Sequence, residues 1–292
     1  MKYGFLSEKG KGIGMNSNIF EKTMMEMDWC SVEKLAKEDA LVLMPVGVIE
    51  EHGRHLPLGT DIYMASAQTR YIAMEMEEQG FPVIIAPPYY WGICSVLTKH
   101  FPGSFTLKAE TLRTVMLENI ECLEKAGFRK VVLVNAHGDP EHRKVITEAL
   151  KEYNETHELQ AKWLTFQCDL EMEGFRGDEN CLIVLPNSVL YHLGDMEGQL
   201  EDRFDVHAGA FETANMLAVY PDLTNTEQAG QEQATMLQGE QIKKWLSGKE
   251  EDRGIIPMGY VGSPAAYKQI HSTPEVYCRA MAKEIMKYYQ NM

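Results

Sequence analysis

Residues 41–61 read LVLMPVGVIEEHGRHLPLGTD, and this stretch decides the fold. Leu41 to Ile49 is an apolar run of strand length, interrupted only by Pro45 and Gly47. A run this short, closed by a turn, predicts a strand buried on both faces of a parallel sheet. Directly after it the polarity inverts, and Glu50, Glu51, His52, His55 and Asp61 arrive among Gly53, Pro57 and Gly59. In open α/β sheets the ligand crevice lies outside the carboxyl ends of the strands. Carboxylates and imidazoles gathered there are the donor set of a divalent metal site.

The same grammar repeats outward. A helix is expected from Thr60 to about Glu78, stopped by Gly80, and Phe81 to Pro87 reads as a second buried strand. The following PYYWGICSVLTKHFPGSF is long and dense in aromatics, Gly and Pro. Loops of that length in a compact domain are usually functional, although this one could simply stack its aromatics on the core. Lys108 to Ala126 is a helix closed by Gly127, and KVVLVN (residues 130–135) is a third strand ending in AHGDPEHR, with a helix to about Tyr153. Trp163 to Gln167 and Leu182 to Leu185 complete five strands. Residues 169–206 read as acidic loop.

Ala210 to Val219 is a helix with Phe211, Ala214, Leu217 and Ala218 facing inward. Gln231 to Leu246 and Pro274 to Tyr289 are two amphipathic helices. Upstream, Asn18 to Lys37 divides into two short helices with Asp28 and Ser31 as caps. The repeated strand–helix pattern predicts an α/β fold with a mostly parallel sheet in three α/β/α layers. With no linker or repeat, residues 1–17 read as a flexible lead and 18–292 as one domain.

A net charge of −15, from 43 Asp plus Glu against 28 Lys plus Arg, excludes nucleic acid and anionic membrane surfaces as partners. The charge does not identify a substrate, and a small molecule is the expected partner. The first residues lack the apolar centre of a signal peptide, and no run is long enough to span a bilayer, so a cytoplasmic location is expected. The six cysteines show no CxxC pair and read as buried, reduced core residues. No GxSxG elbow is present and no cysteine stands at an expected strand end beside a His, which argues against a Ser or Cys hydrolase.

Three segments concentrate His and carboxylate: Glu50-x-His52 with Asp61, His137-x-Asp139, and His207 with Glu212. Each alone has an ordinary explanation as a cap, a solvated charge or a surface helix residue. Together they point elsewhere. Glu50 and His52, two apart in extended chain, point to one side, and His137-x-Asp139 repeats that alternation on a strand that a parallel sheet brings alongside. Mixed carboxylates and imidazoles suit Zn or Mn better than Ca or Mg. There are more donors than one tetrahedral ion uses, which favours two ions sharing a carboxylate.

The segment PVGVIEEHGRHLPLGTD resembles the signature of the creatininase (creatinine amidohydrolase) family. VNAHGDP is similar to its VNGHGGN motif, DVHAGAFETANML to its HAGxFETSxML motif, and HFPGS to its FPGT turn. The resemblance implies a dinuclear Zn or Mn (or Fe) site with Glu50, His52, Asp61 and His137 as ligands, Asp61 bridging, and one further carboxylate. That carboxylate is Glu212, with Asp139 as the alternative. It also implies His207 as general acid and a homo-oligomer, a hexamer by family habit.

HGDP replaces HGGN, and the loop from Tyr89 to Ser104 is this chain's own, so creatinine specificity does not carry over. Tyr90, Trp91, His100 and Arg54 are the expected substrate contacts. The expected reaction is hydrolysis of a small cyclic or formyl amide by metal-activated water. The alternatives are ring-opening of a cyclic diketone such as an oxidised inositol, and a non-catalytic metal or small-molecule binding protein.

Overall fold

The structure, a computed structural model, describes residues 17–167, 169–170 and 174–291. Nearly all of the expected N-terminal lead, and Cys168, lie outside the described residues.

Five strands, β1 (Leu41–Val46), β2 (Val83–Ile85), β3 (Lys130–Asn135), β4 (Gln160–Phe166) and β5 (Leu182–Leu185), form one sheet in the order β2-β1-β3-β4-β5, every pair parallel. Successive side chains of a strand point to opposite faces, and the core divides accordingly. Leu41, Leu43, Val132 and Val134 face one side, against α2 (Thr60–Glu78) and α9 (Pro274–Gln290). Val42, Met44, Val131 and Leu133 face the other, against α3 (Ala109–Lys125) and α4 (Pro140–Thr156). This is the expected three-layer α/β/α arrangement.

The interior strand β1, between β2 and β3, carries Pro45, which lacks the N–H that a sheet ladder uses. Its carbonyl accepts a hydrogen bond from Tyr89 N at 2.9 Å, so its N side also faces β2, beyond that strand's last pair, Leu43–Ile85. The pairing is interrupted there and resumes at a single parallel bridge between Val46 and Tyr89. Strand order reverses around β1, so the crevice at the carboxyl ends of β1 and β3 is the switch point where a doubly wound sheet binds its ligand.

Several local expectations are corrected. β1 ends at Val46, three residues short of the expected Ile49. The first short helix is a 3-10 turn, Met24–Glu26. The second, α1 (Trp29–Lys37), is capped by Asp28 alone, with Ser31 as the donor that its carboxylate accepts. A short helix, α5 (Asn187–Leu193), lies in the stretch read as loop. In α6 (Ala210–Val219) the buried residues include Thr213, Asn215, Met216 and Val219, whereas Ala218 is exposed and Phe211, Ala214 and Leu217 are only half-buried. The apolar side chains run round this helix, and polar tertiary partners set its rotation.

After α7 (Thr226–Ala229), the helix expected from Gln231 begins only at Glu240, as α8 (Glu240–Ser247). Residues 231–239 are instead held by long-range bonds: Glu232 by Arg54 and Tyr260, and Thr235 and Met236 by Asp202. Cys94, Cys181 and Cys278 are buried, but Cys30 and Cys122 are exposed on the outer helices.

Candidate metal centre

Gly47 sets the distance between β1 and the start of α2. A Cβ there would sit 2.6 Å from Ile62 N and 2.7 Å from Asp61 C, so only glycine lets the helix begin against the strand end. That approach places Asp61 in the first turn of α2, where the helix dipole favours a carboxylate. Glu50 and His52 follow directly from β1, and His137 follows β3. Asn135 clamps that last turn, its Nδ2 donating to the His137 carbonyl at 2.7 Å.

The two carboxylate oxygens of Asp61 face different imidazoles. Oδ1 lies 3.2 Å from His52 Nε2, and Oδ2 lies 2.9 Å from His137 Nδ1. Glu50 Oε2 is 3.3 Å from His137 Nδ1, and Glu212 Oε2 is 3.9 Å from His52 Nε2. The far nitrogen of each ring meets a main-chain carbonyl: His52 Nδ1 lies 3.0 Å from Glu50 O, and His137 Nε2 lies 2.8 Å from Ile93 O. Those carbonyls take the ring N–H and leave the inward nitrogen as an electron-pair donor, the arrangement that orients imidazoles for metals.

Electrostatics point the same way. Burial presses the His52 imidazole down, but Asp61, then Glu212 and Glu50, outweigh it and bring its pKa to about 10. His137 is likewise driven well above 6.5 by Glu50 and Asp61 despite its burial. Asp61 is held below the ordinary carboxylate range: burial opposes this, but His52 and His137 dominate. Burial raises Glu212. Three inward carboxylates thus favour positive charge at both rings, where a cation would stand.

The residues fit divalent ions. Glu50 Oε1 is buried with no hydrogen-bond partner among the described residues, and neither His52 Nε2 nor Asp61 Oδ2 makes a well-directed hydrogen bond. Donor atoms of His52, Asp61 and Glu212 lie within 4.8 Å of one another, as do those of Glu50, His52 and His207. Buried orphan donors of this kind are costly unless an ion or water completes them.

His207 lies on the cavity wall. Its Nε2 is 2.8 Å from the Glu51 carbonyl and its ring centroid 4.4 Å from that of His52. Burial and His52 lower its affinity for a proton, but the contact of Nε2 with the Glu51 carboxylate at 3.5 Å and the charges of Glu50 and Glu51 more than offset both, so its pKa is raised. The next residue, Ala208, takes a left-handed φ of +48°, rare without a glycine. It is pinned on both sides, its N–H donating to Glu212 Oε2 at 2.6 Å and its carbonyl facing His55 Nε2 at 3.0 Å.

Asp139 is brought to the rim but is otherwise engaged. It caps α4, with Oδ1 accepting from Glu141 N and His142 N, while Oδ2 accepts from Ser95 N at 2.6 Å and Ser95 Oγ at 2.7 Å. Of the expected substrate contacts, Arg54 pairs with the buried Glu232 and His100 Nε2 lies 2.8 Å from the Gly248 carbonyl. The rings of Tyr90 and Trp91 lie 5.4 Å apart, tilted by 42°, with Trp91 edge-on to Phe105. None of the four lines the cavity of about 330 Å³ over the centre. Its wall includes Glu50, Asp61, His137, His207 and Glu212, with Val96, Arg143 and Val206 from stretches quoted above but not singled out, and Trp245 and Leu246, which no motif marks.

Sequence reasoning also passed over His142 and Cys94. The His142 ring stands edge-on to His137 at 5.0 Å, and burial drives its pKa well below 6.5. Cys94 corrects the expectation that no cysteine stands beside a His here. Its sulfur lies within 4.8 Å of donor atoms of both Glu50 and His137. Burial, then Glu50, push its thiol up to about 12, the opposite of what a nucleophile needs.

A buried cluster of carboxylates and oriented imidazoles at the switch point of a parallel sheet defines a metal-binding α/β enzyme. The creatininase family model (creatinine amidohydrolase) matches residues 25–288. The chain therefore belongs to the creatininase family and is a hydrolase. The creatinine amidohydrolase of Pseudomonas putida is 28% identical over 224 residues, 73% of this chain and 76% of that one. The mycofactocin precursor peptide peptidase of Mycolicibacterium smegmatis is 35% identical over 102 residues, 34% of this chain and 39% of that one. The 3-dehydro-scyllo-inosose hydrolase of Thermotoga maritima is 26% identical over 107 residues, 37% of this chain and 33% of that one. A crystal structure of creatinine amidohydrolase shares the fold, with a TM-score of 0.65 at 22% identity over 92% of this chain and 97% of that one. Other creatininase structures of this fold are a Mn form and a Zn-Zn type.

Proposed function

We propose that this hydrolase holds two divalent ions, zinc or manganese, and cleaves a C–N bond of a small cyclic or formyl amide with water. Glu50, Asp61 and His137 would hold one ion, and His52, Asp61 and Glu212 the other. The posture of Asp61 carries this reading: its two oxygens address imidazoles from two strand ends, as a bridging carboxylate does. Glu212 is preferred to Asp139 because Asp139 already accepts five N–H or O–H groups, two from the first turn of α4 and three from Ser95 and Val96.

When bound, such ions lower the pKa of a water and polarise a carbonyl oxygen. The chain's own residues do the rest. His207 commits Nε2 to the Glu51 carbonyl, which leaves Nδ1 to carry a proton to the departing nitrogen, a step typically worth about 10²- to 10⁴-fold. Val96, Val206, Trp245 and Leu246 form the apolar part of the wall and limit water. A cavity of about 330 Å³ suits a small substrate.

The similarity to an inosose hydrolase favours a second reading, in which carbon leaves and a cyclic diketone is opened. The test is a panel of cyclic amides, formyl amides, short peptides and carbocyclic diketones offered to zinc- or manganese-loaded protein. Amide turnover abolished by EDTA and restored by metal is the expected result; turnover of the diketone alone overturns the amide reading. We also propose self-assembly, supported by the exposed Trp29, Trp91 and Phe105, with light scattering as its check.

A further inference from the structure

The two halves of the centre differ in one donor. Cys94 is buried at 1% exposure in the loop that follows β2. Its backbone is fixed across that loop: its N–H donates to Thr106 Oγ1 at 3.0 Å, and Thr106 Oγ1 donates to its carbonyl at 3.3 Å. The preceding residue, Ile93, supplies the carbonyl that orients the His137 ring. One strap therefore both aims the imidazole and delivers a sulfur beside it. Cys94 Sγ, a carboxylate oxygen of Glu50 and a ring nitrogen of His137 lie within 4.8 Å of one another. Independently, Glu50, itself 1% exposed, leaves Oε1 without a hydrogen-bond partner among the described residues.

Building on the dinuclear reading, we infer that Cys94 is the fourth ligand of the ion held by Glu50, Asp61 and His137. That half is then a closed nitrogen–oxygen–sulfur site selective for zinc. The half made by His52, Asp61 and Glu212 has three protein donors and stays open, so it accepts manganese as readily. Four protein donors are the habit of retained zinc, and three with an open position that of a reacting one. A thiolate prefers zinc to manganese, whereas carboxylate-rich sets do not discriminate in that sense. On loading, the Cys94 S–H bond breaks as the sulfur–zinc bond forms, and the proton leaves to solvent.

The test compares EDTA-stripped wild-type protein with Cys94→Ser and Cys94→Ala, each loaded with zinc and manganese in equal excess. Bound metal is counted by elemental analysis after gel filtration, and a cobalt-loaded sample of each is scanned for absorption. Wild type is expected to keep one zinc per chain against manganese, and its cobalt form to show sulfur-to-cobalt charge-transfer absorption in the near ultraviolet. In both variants that band disappears, and the zinc preference of this ion falls on the order of 10- to 100-fold. Two bound ions with no such band in wild type, or an unchanged zinc preference in the variants, overturn the sulfur ligand and leave the dinuclear reading intact. A wild-type chain that binds no divalent ion overturns both. Should the variants fail to fold, the wild-type cobalt spectrum decides alone.

Discussion

Asp61→Asn keeps the size of the side chain and removes one negative charge from between two imidazoles, which lie 3.2 and 2.9 Å away. If this carboxylate is shared by two ions, its loss weakens both together. Removing one partner of a buried charge pair costs about 3–5 kcal/mol. At about 1.36 kcal/mol per decade, each ion's affinity falls by roughly 10²- to 10⁴-fold. Glu212→Gln provides the contrast, since it touches only the His52 half and weakens one ion. Competition against a chromophoric zinc chelator, with elemental analysis of the retained metal, reads both variants. Asp61→Asn that keeps two ions at wild-type affinity, or loses one and holds the other unchanged, refutes the bridging role.

His207→Asn leaves the metal content unchanged and lowers turnover by roughly 10²- to 10⁴-fold, which parallel metal analysis and rate assays distinguish from a ligand role. Folding raises the His52 pKa from 6.5 to about 10, so the ion-free chain binds a proton on folding. That stabilisation is complete below about pH 6.5 and is lost as pH rises toward about 10. The melting temperature of EDTA-treated protein should fall across that window, and the fall should shrink in Asp61→Asn. Gly47→Ala puts a methyl 2.6 Å from the backbone of Ile62. It should cost about 1–3 kcal/mol in urea unfolding and weaken metal binding with it. Thr213→Val removes the hydroxyl 3.0 Å from His55 Nε2 and should destabilise by about 1 kcal/mol with only a small change in metal content.

The parts legible in the sequence were those with a local cause. β3 and β5 are bounded by abrupt changes of polarity, and both match their expected residues. α2 and α9 announce themselves by the glycine and proline at their ends. Glu50, His52 and His137 converge because they follow the carboxyl ends of two adjacent parallel strands, and Asp61 because its helix starts against the end of β1. Long-range effects stayed hidden. An acid just after a strand looks the same whether it binds metal or caps a helix, and only the loop carrying Ser95 and Val96 gives Asp139 its five donors. Residues 231–239 have helical spacing, yet Asp202 and Tyr260 draw them into an irregular path. Trp245 and Leu246 reach the cavity from a helix more than a hundred residues beyond His137, with no motif to mark them.

The two imidazoles are steered by carbonyls of the chain itself, whereas the acids come from three separate elements: the end of β1, the start of α2 and the start of α6. Substitution can delete or move an acid, but no side-chain replacement rewrites a carbonyl. For an engineer this makes the nitrogen framework the permanent chassis and the carboxylates its exchangeable fittings. Altered metal preference is then best sought by relocating an acid or a sulfur, with His52 and His137 left where the main chain has set them.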